Sequence, residues 1–163
     1  MLTVESGFPY YISLTEGKDI NLLFQSEDNF KLLHSLSEEQ ACFRYAPGKW
    51  SIKQIIGHIT DHERVMIYRA LRFSRQDSTL LSGYDQNLFV DHSTFDHHPY
   101  CDVLNDFVNV RKSTLSFIKL LTPEQLKLKG KAWKFELTVL EFLQATIGHE
   151  IHHMNVVREK YLK

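Results

Sequence analysis

The chain has 163 residues and a formal net charge of −1 at pH 7. The length predicts a single domain over residues 1–163, and the balanced charge gives no indication of a nucleic-acid partner. No apolar run approaches the roughly 20 residues of a membrane span, and residues 1–12 lack the features of a signal peptide. The two cysteines, Cys42 and Cys101, are isolated in the sequence, as in a protein kept in a reducing compartment. We therefore expect a cytoplasmic protein without a membrane partner.

Four long stretches with helical periodicity dominate the sequence. Ser51 opens an S-x-x-Q pattern and Thr138 opens a T-x-x-E pattern, which are capping boxes at helix starts. Strand signals are sparse, so the pattern predicts an all-α fold, a four-helix bundle. The predicted helices cover about residues 20–36, 51–74, 101–121 and 138–163.

The longest predicted connection, residues 77–99, joins the second helix to the third. A short helix is expected within it, near residues 86–91. Connections of this length in a compact domain are often functional, so Tyr84 and Asp85 are candidates to line a pocket. Packing within the connection explains these two residues equally well. Residues 127–137 contain Gly130 and predict a loop or a short hairpin.

Three histidines lie close together in the fourth predicted helix. A helix turns by about 100° per residue, so His149 and His153 share one inward-facing side. His152 lies at the edge of the polar face. Two imidazoles four residues apart can bind the same divalent metal ion. The pattern therefore favours His149 and His153 as a ligand pair, with His152 outside it.

A second pair, His58 and His62, lies in the second predicted helix at the margin of its apolar stripe. Either side chain could reach a cleft between helices, and the periodicity does not separate them. Glu63 falls within the apolar stripe, which is unusual for a carboxylate and suggests a buried basic partner such as Arg111. Histidines at this spacing also occur in cores and on surfaces, so the spacing alone leaves metal binding open.

Short segments along nearly the whole chain match a known pattern in order and in spacing. They are Gly48–Ile52, Ile55–Asp61, Gly83–Asp85, Arg111 with Leu115, Thr138–Val139, Glu141–Phe142–Leu143, and His149 with His153. Together these segments resemble the DinB/YfiT-like superfamily of metal-dependent enzymes.

The resemblance implies a four-helix bundle with up-down-down-up topology and a divalent metal ion, usually zinc or nickel, held by three histidines. The matching positions are His58, His149 and His153, so the resemblance favours His58 over His62. Three histidine ligands leave a coordination position open, as in catalytic sites. Because imidazole must be deprotonated to bind, metal occupancy is expected to fall below about pH 6.

The resemblance also implies a function: a metal-dependent hydrolase or thiol-S-transferase that acts on a small molecule, with a low-molecular-weight thiol as the second substrate of the transferase. It further suggests a homodimer. The sequence identifies no general base, so a non-catalytic stress protein that binds a metal or a small molecule is the alternative. Roles for His62, His152, Tyr84 and Asp85 in supporting the site stay open.

Overall fold

The computed structural model describes residues 2–162. Short 3-10 turns lie at Val4–Ser6 and Phe95–His97, and a π-helical turn at Val157–Tyr161 follows the last helix. The helices are α1 (Phe8–Ser13), α2 (Ile20–Gln25), α3 (Asp28–His34), α4 (Glu38–Cys42), α5 (Ile52–Ser74), α6 (Gln86–Asp91), α7 (Tyr100–Lys119), α8 (Pro123–Lys127) and α9 (Val139–Val156); the strands are β1 (Lys129–Ala132) and β2 (Phe135–Thr138).

The long helices pack as a four-helix bundle, which confirms the predicted fold class. Helix α5 contacts both α7 and α9, and the α2–α3 segment closes the other side of the bundle against the same two helices. Ser51 caps α5 by accepting a hydrogen bond from the Gln54 amide at 3.0 Å, and Thr138 caps α9 from the Glu141 amide at 3.1 Å. The predicted starts of these two helices are therefore correct.

The first predicted helix, residues 20–36, is wrong as one continuous element. The helix is interrupted between α2 and α3 at Ser26, whose backbone is extended (φ −61°, ψ 130°). The Ser26 hydroxyl accepts a hydrogen bond from the Asp28 amide at 3.4 Å, a local bond that competes with helix continuation. Because α2 ends here, the Phe24 carbonyl lacks an intrahelical donor and accepts a hydrogen bond from Arg111 at 3.4 Å.

The interior consists of two apolar clusters separated by a polar layer. Phe73 and Phe142 belong to the cluster beside the β1–β2 hairpin, and Ile56 and Phe107 belong to the cluster at the opposite end. Buried polar side chains lie between these clusters along α5, α7 and α9, among them His62, Glu63, Arg111, His149 and Glu150. The polar layer crosses the bundle at mid-height and contains the functional candidates.

The charged residues of this layer come from α5, α7 and α9. Arg111 of α7 donates two hydrogen bonds to Glu63 of α5, at 3.2 and 2.9 Å, and a further one to Glu150 of α9. Asn29 of α3 donates to the other oxygen of Glu150 at 2.6 Å. The predicted pairing of Glu63 with Arg111 is confirmed. The network also holds α9 in place at Glu150, the residue after His149.

Helix α1 was not predicted from the sequence, yet it packs directly on α9. The approach is closest at Gly148, where a Cβ atom would overlap the backbone carbonyl of Tyr11. Only glycine allows two backbones to come this close. As a result, the Tyr11 ring contacts His149 edge-to-face, with ring centroids 5.1 Å apart.

The connections agree with the remaining predictions. Residues 129–138 form the predicted hairpin, in which Lys129 pairs with Thr138, and α6 occupies the predicted positions within the long connection. Cys42 and Cys101 are free and exposed. Over residues 2–162, no helix has both the length and the apolar character required to cross a membrane.

Candidate metal centre

Three histidine side chains converge in the polar layer. The Nε2 atom of His149 lies 3.0 Å from Nε2 of His58 and 3.1 Å from Nε2 of His153. The potential ligand atoms of the three residues all lie within 4.8 Å of one another. The structure thus brings together the three residues that the sequence selected, from α5 and from successive turns of α9.

Hydrogen bonding alone does not account for this arrangement. A neutral imidazole nitrogen carries either a proton or a lone pair, so Nε2 of His149 cannot donate to one neighbour and accept from the other. That atom has a single in-plane proton or lone pair, so at most one of its two close contacts can be a well-aligned hydrogen bond. The ligating nitrogen atoms of two imidazoles on a tetrahedral zinc ion are about 3.4 Å apart, close to the observed distances between Nε2 atoms. The donor set fits a divalent cation with affinity for imidazole, such as zinc or nickel.

Burial keeps these imidazoles neutral at physiological pH. Desolvation, assisted by the nearby His62, lowers the pKa of His58 to about 3. Desolvation and the other imidazoles of the cluster also hold the pKa values of His149 and His153 well below 6.5. Neutral imidazole is the form that binds a metal. Protons therefore compete less strongly than at a free imidazole, and the pH at which occupancy falls is expected to lie below the value of about 6 predicted from the sequence.

His62 lies beside the cluster rather than in it. Its ring stacks on His149, with centroids 3.8 Å apart, and its Nδ1 atom lies 2.6 Å from the Tyr84 hydroxyl oxygen. Its Nε2 atom is buried, and within residues 2–162 no hydrogen-bond partner is found for it. The structure therefore places His62 as a packing neighbour of His149 and links it to the long connection through Tyr84.

The remaining sequence candidates surround the site at different distances. His152 is half-buried, and its Nδ1 atom lies 3.1 Å from the Tyr10 hydroxyl, outside the nitrogen cluster. Asp85 caps α6 by accepting a hydrogen bond from the Asn87 amide at 2.9 Å. The Trp50 ring packs against His58, with ring centroids 4.9 Å apart. Because it lies just before α5, no periodicity signalled this contact.

A cavity of about 660 Å³ opens beside the cluster. His149 and His62 lie in its wall, so the cavity reaches the cluster at His149. Aromatic residues from α1 and the hairpin, Phe8, Trp133 and Phe135, supply much of its apolar surface. Pockets of this size and character hold small molecules. The cavity gives a small molecule access to the histidine cluster.

A family model for the DinB superfamily matches residues 22–157. The chain belongs to the DinB superfamily. A search of the curated proteins found no match. Among solved structures, the chain is similar to YfiT from Bacillus subtilis, which is described as a probable metal-dependent hydrolase with an unusual four-helix bundle topology. The two share 15% sequence identity with a TM-score of 0.71, over 97% of this chain and 89% of that chain. At this identity the likeness establishes the shared fold.

Proposed function

We propose that the protein binds one divalent metal ion through His58, His149 and His153 and is a metal-dependent enzyme acting on a small molecule. The observation that carries the proposal is the convergence of the Nε2 atoms of three neutral histidines, of which His149 lies in the wall of a cavity of about 660 Å³. Three protein ligands leave room for a further ligand, the arrangement of catalytic sites. When bound, the metal supplies Lewis acidity, which activates a nucleophile and polarises a carbonyl group.

The residues of the chain would position the ligands and limit access of water. His62 stacks on the His149 ring and Tyr11 contacts the same ring edge-to-face, and together these contacts fix its plane. The Trp50 ring packs against His58, with ring centroids 4.9 Å apart. Ligands whose orientation is fixed by packing bind without loss of side-chain freedom, which favours a stable site. Substrate would enter through the aromatic cavity on the His149 side.

Two reactions fit this proposal: hydrolysis of an ester or amide, and transfer to a low-molecular-weight thiol. The similarity to YfiT supports the hydrolase, and the sequence resemblance includes both reactions. The identity of the metal as zinc or nickel, a homodimeric state and a cytoplasmic location are further proposals from the sequence. A protein that binds a metal or a small molecule without catalysis is the alternative.

Metal analysis of protein purified without a histidine tag tests the first step. We expect about one zinc or nickel ion per chain in the wild type and loss of most of it in His149→Ala. His152→Ala is the matched control, because it removes an imidazole three residues along the same helix but outside the cluster. Metal content near zero in the wild type, unchanged by reconstitution, would contradict metal binding.

Turnover tests the second step. The metal-loaded protein is assayed with ester and amide panels and with electrophiles in the presence of thiols, each with and without a chelator. Metal-dependent turnover that is lost in His149→Ala and kept in His152→Ala is the expected result. Stoichiometric metal without turnover of any panel member would favour the non-catalytic alternative.

A further inference from the structure

Arg69 of α5 is a buried cation without a carboxylate partner. Only 4% of the surface of Arg69 is exposed. It donates one hydrogen bond to the Ser82 carbonyl at 2.7 Å and a weaker one to the sulfur of Met66 at 3.4 Å. Within residues 2–162, no carboxylate oxygen lies within 4.0 Å of its nitrogen atoms. A guanidinium has five N–H donors, so most of its hydrogen-bonding capacity is available.

The other buried cations of the described chain are paired. Lys53 forms an ion pair with Glu38, and Arg111 lies between Glu63 and Glu150. An isolated charge in a protein interior is strongly disfavoured, and pairing is the usual compensation. Burial lowers the pKa of Arg69, consistent with an uncompensated cation. The ring of Tyr84, 6.0 Å from the guanidinium carbon, lies at the outer limit of a cation–π contact and compensates little.

The position of Arg69 connects it to the proposed active site. Arg69 lines the same cavity as His149 and Tyr84. Two carboxylates also border this cavity, but both are engaged elsewhere: Asp85 caps α6, and Glu5 is an exposed residue hydrogen-bonded to the Thr3 hydroxyl. The guanidinium is therefore the buried charge that faces a ligand in a cavity with aromatic walls.

We propose that the substrate carries a carboxylate that pairs with Arg69, while its apolar body lies against the aromatic wall and its reacting group lies at the histidine cluster. Arginine binds carboxylates through two parallel hydrogen bonds, which fixes the orientation of the ligand as well as its charge. A carboxylate carries one negative charge and neutralises one guanidinium. A phosphate monoester carries close to two. Lys134, the other cation in the cavity wall, is exposed and its Nζ atom lies 4.4 Å from the centre of the Trp133 ring, so Arg69 is the one buried cation that faces the ligand among the described lining residues. The substrate class is therefore a monoanionic, apolar carboxylate.

The inference rests on the proposed function for the reacting group, but carboxylate binding is measurable without metal or turnover. The probes are 3-phenylpropanoate and its neutral amide, which have the same shape, and phenyl phosphate as the alternative anion. Dissociation constants are measured by calorimetry near neutral pH, on chelator-treated protein and on metal-loaded protein. The variants are Arg69→Gln, which removes the charge and keeps hydrogen-bond donors, and Arg69→Lys, which keeps the charge. Arg72→Gln is the control, because it removes the same charge one turn along α5 and lies outside the His149 cavity.

In metal-free wild-type protein we expect the carboxylate to bind about tenfold or more tightly than the amide. Arg69→Gln abolishes that preference, Arg69→Lys retains part of it, and Arg72→Gln retains it fully. Equal affinity for carboxylate and amide in the wild type would overturn the proposal, and so would tighter binding of phenyl phosphate. Carboxylate binding that requires metal and is unchanged in Arg69→Gln would place the anion on the metal and would also overturn it.

A second measurement covers the case in which Arg69→Gln does not fold. In the wild type, the ¹H–¹⁵N resonance of the Arg69 side-chain Nε–H is expected to shift on titration with the carboxylate and to stay unchanged with the amide. An unchanged resonance at saturating carboxylate would exclude contact with Arg69. Because both measurements work on metal-free protein, failure of metal binding and failure of carboxylate recognition are separate results.

Discussion

Replacement of Arg111 by methionine tests whether the buried charge network holds the bundle together. Glu63 and Glu150 are 1% and 3% exposed, and Arg111 is the cation bonded to both. Burial alone would lower the pKa of Arg111, but the adjacent Glu150 and Glu63 carboxylates raise it above its ordinary value. Arg111→Met leaves two buried carboxylates facing each other without a cation. Loss of one partner from a buried ion pair costs about 3–5 kcal/mol, and we expect the free energy of unfolding to fall by that amount.

The matched control is Arg64→Met, on α5. Arg64 also contacts a carboxylate through two nitrogen atoms, at 2.9 and 2.5 Å from Asp106, but both side chains are 46% exposed. Water and salt screen an exposed pair, so this variant should lose less than about 1 kcal/mol. The same substitution is therefore expected to have effects that differ several-fold between the buried and the exposed site.

Urea denaturation of chelator-treated protein, followed by circular dichroism, measures both changes. Metal must be absent, because a ligand of the folded state would raise the midpoint of all variants that bind it. Glu63→Gln provides a second comparison: it removes the excess negative charge of the network and should cost less than Arg111→Met. Equal losses in Arg111→Met and Arg64→Met would refute the argument that burial makes this network structurally essential.

Three further predictions concern the histidine site. Burial lowers the pKa values of His58 and His62 to about 3, so below pH 6.5 the unfolded chain takes up protons at these residues before the folded protein does. The free energy of unfolding of the metal-free protein should therefore fall by about 1.4 kcal/mol per pH unit for each of these two imidazoles between about pH 6.5 and 3. A urea midpoint that is constant from pH 7.5 to 5 would contradict this. Gly148→Ala should destabilise the protein by about 1–3 kcal/mol in the same denaturation assay, because the new methyl group would overlap the backbone of Tyr11. Gly57→Ala should cost less, because its methyl group would meet the Phe95 ring, which can move. Added zinc should raise the thermal midpoint of the wild type by several degrees and leave that of His149→Ala unchanged. If a calorimetric scan shows the same rise in midpoint for both proteins, zinc binds at another site.

The parts of the fold that the sequence predicts are those encoded by neighbouring residues. The capping boxes at Ser51 and Thr138 locate the starts of α5 and α9, and the helical period places His149 and His153 on one face. The same period identified Glu63 as a carboxylate within an apolar stripe. These inferences need only local rules, and the structure agrees with them.

The features that the sequence does not reveal depend on contacts between distant segments. Helix α1 has six residues, and its position is set by its close approach to Gly148, which no local pattern indicates. The contact of Trp50 with His58 and the break at Ser26 are also matters of packing. The isolation of Arg69 is a property of its whole environment and becomes visible only when all neighbouring carboxylates are located. The one sequence signal that could have identified it is its spacing: Arg69 follows His62 by seven residues and so lies on the same margin of the apolar stripe of α5.

The division of the core into two apolar clusters connects the stability of the fold to the chemistry of the site. The polar layer lies between the clusters, so its imidazoles are desolvated from both ends and stay neutral, as metal ligands must be. The same desolvation would make the carboxylates of that layer unstable if Arg111 did not pair with them. Glu150 follows His149 directly in the chain, so the ion network that compensates the buried charge also fixes the helix turn that presents the central imidazole. A change that loosens this network should therefore weaken metal binding as well as folding, even though none of its residues belongs to the histidine cluster.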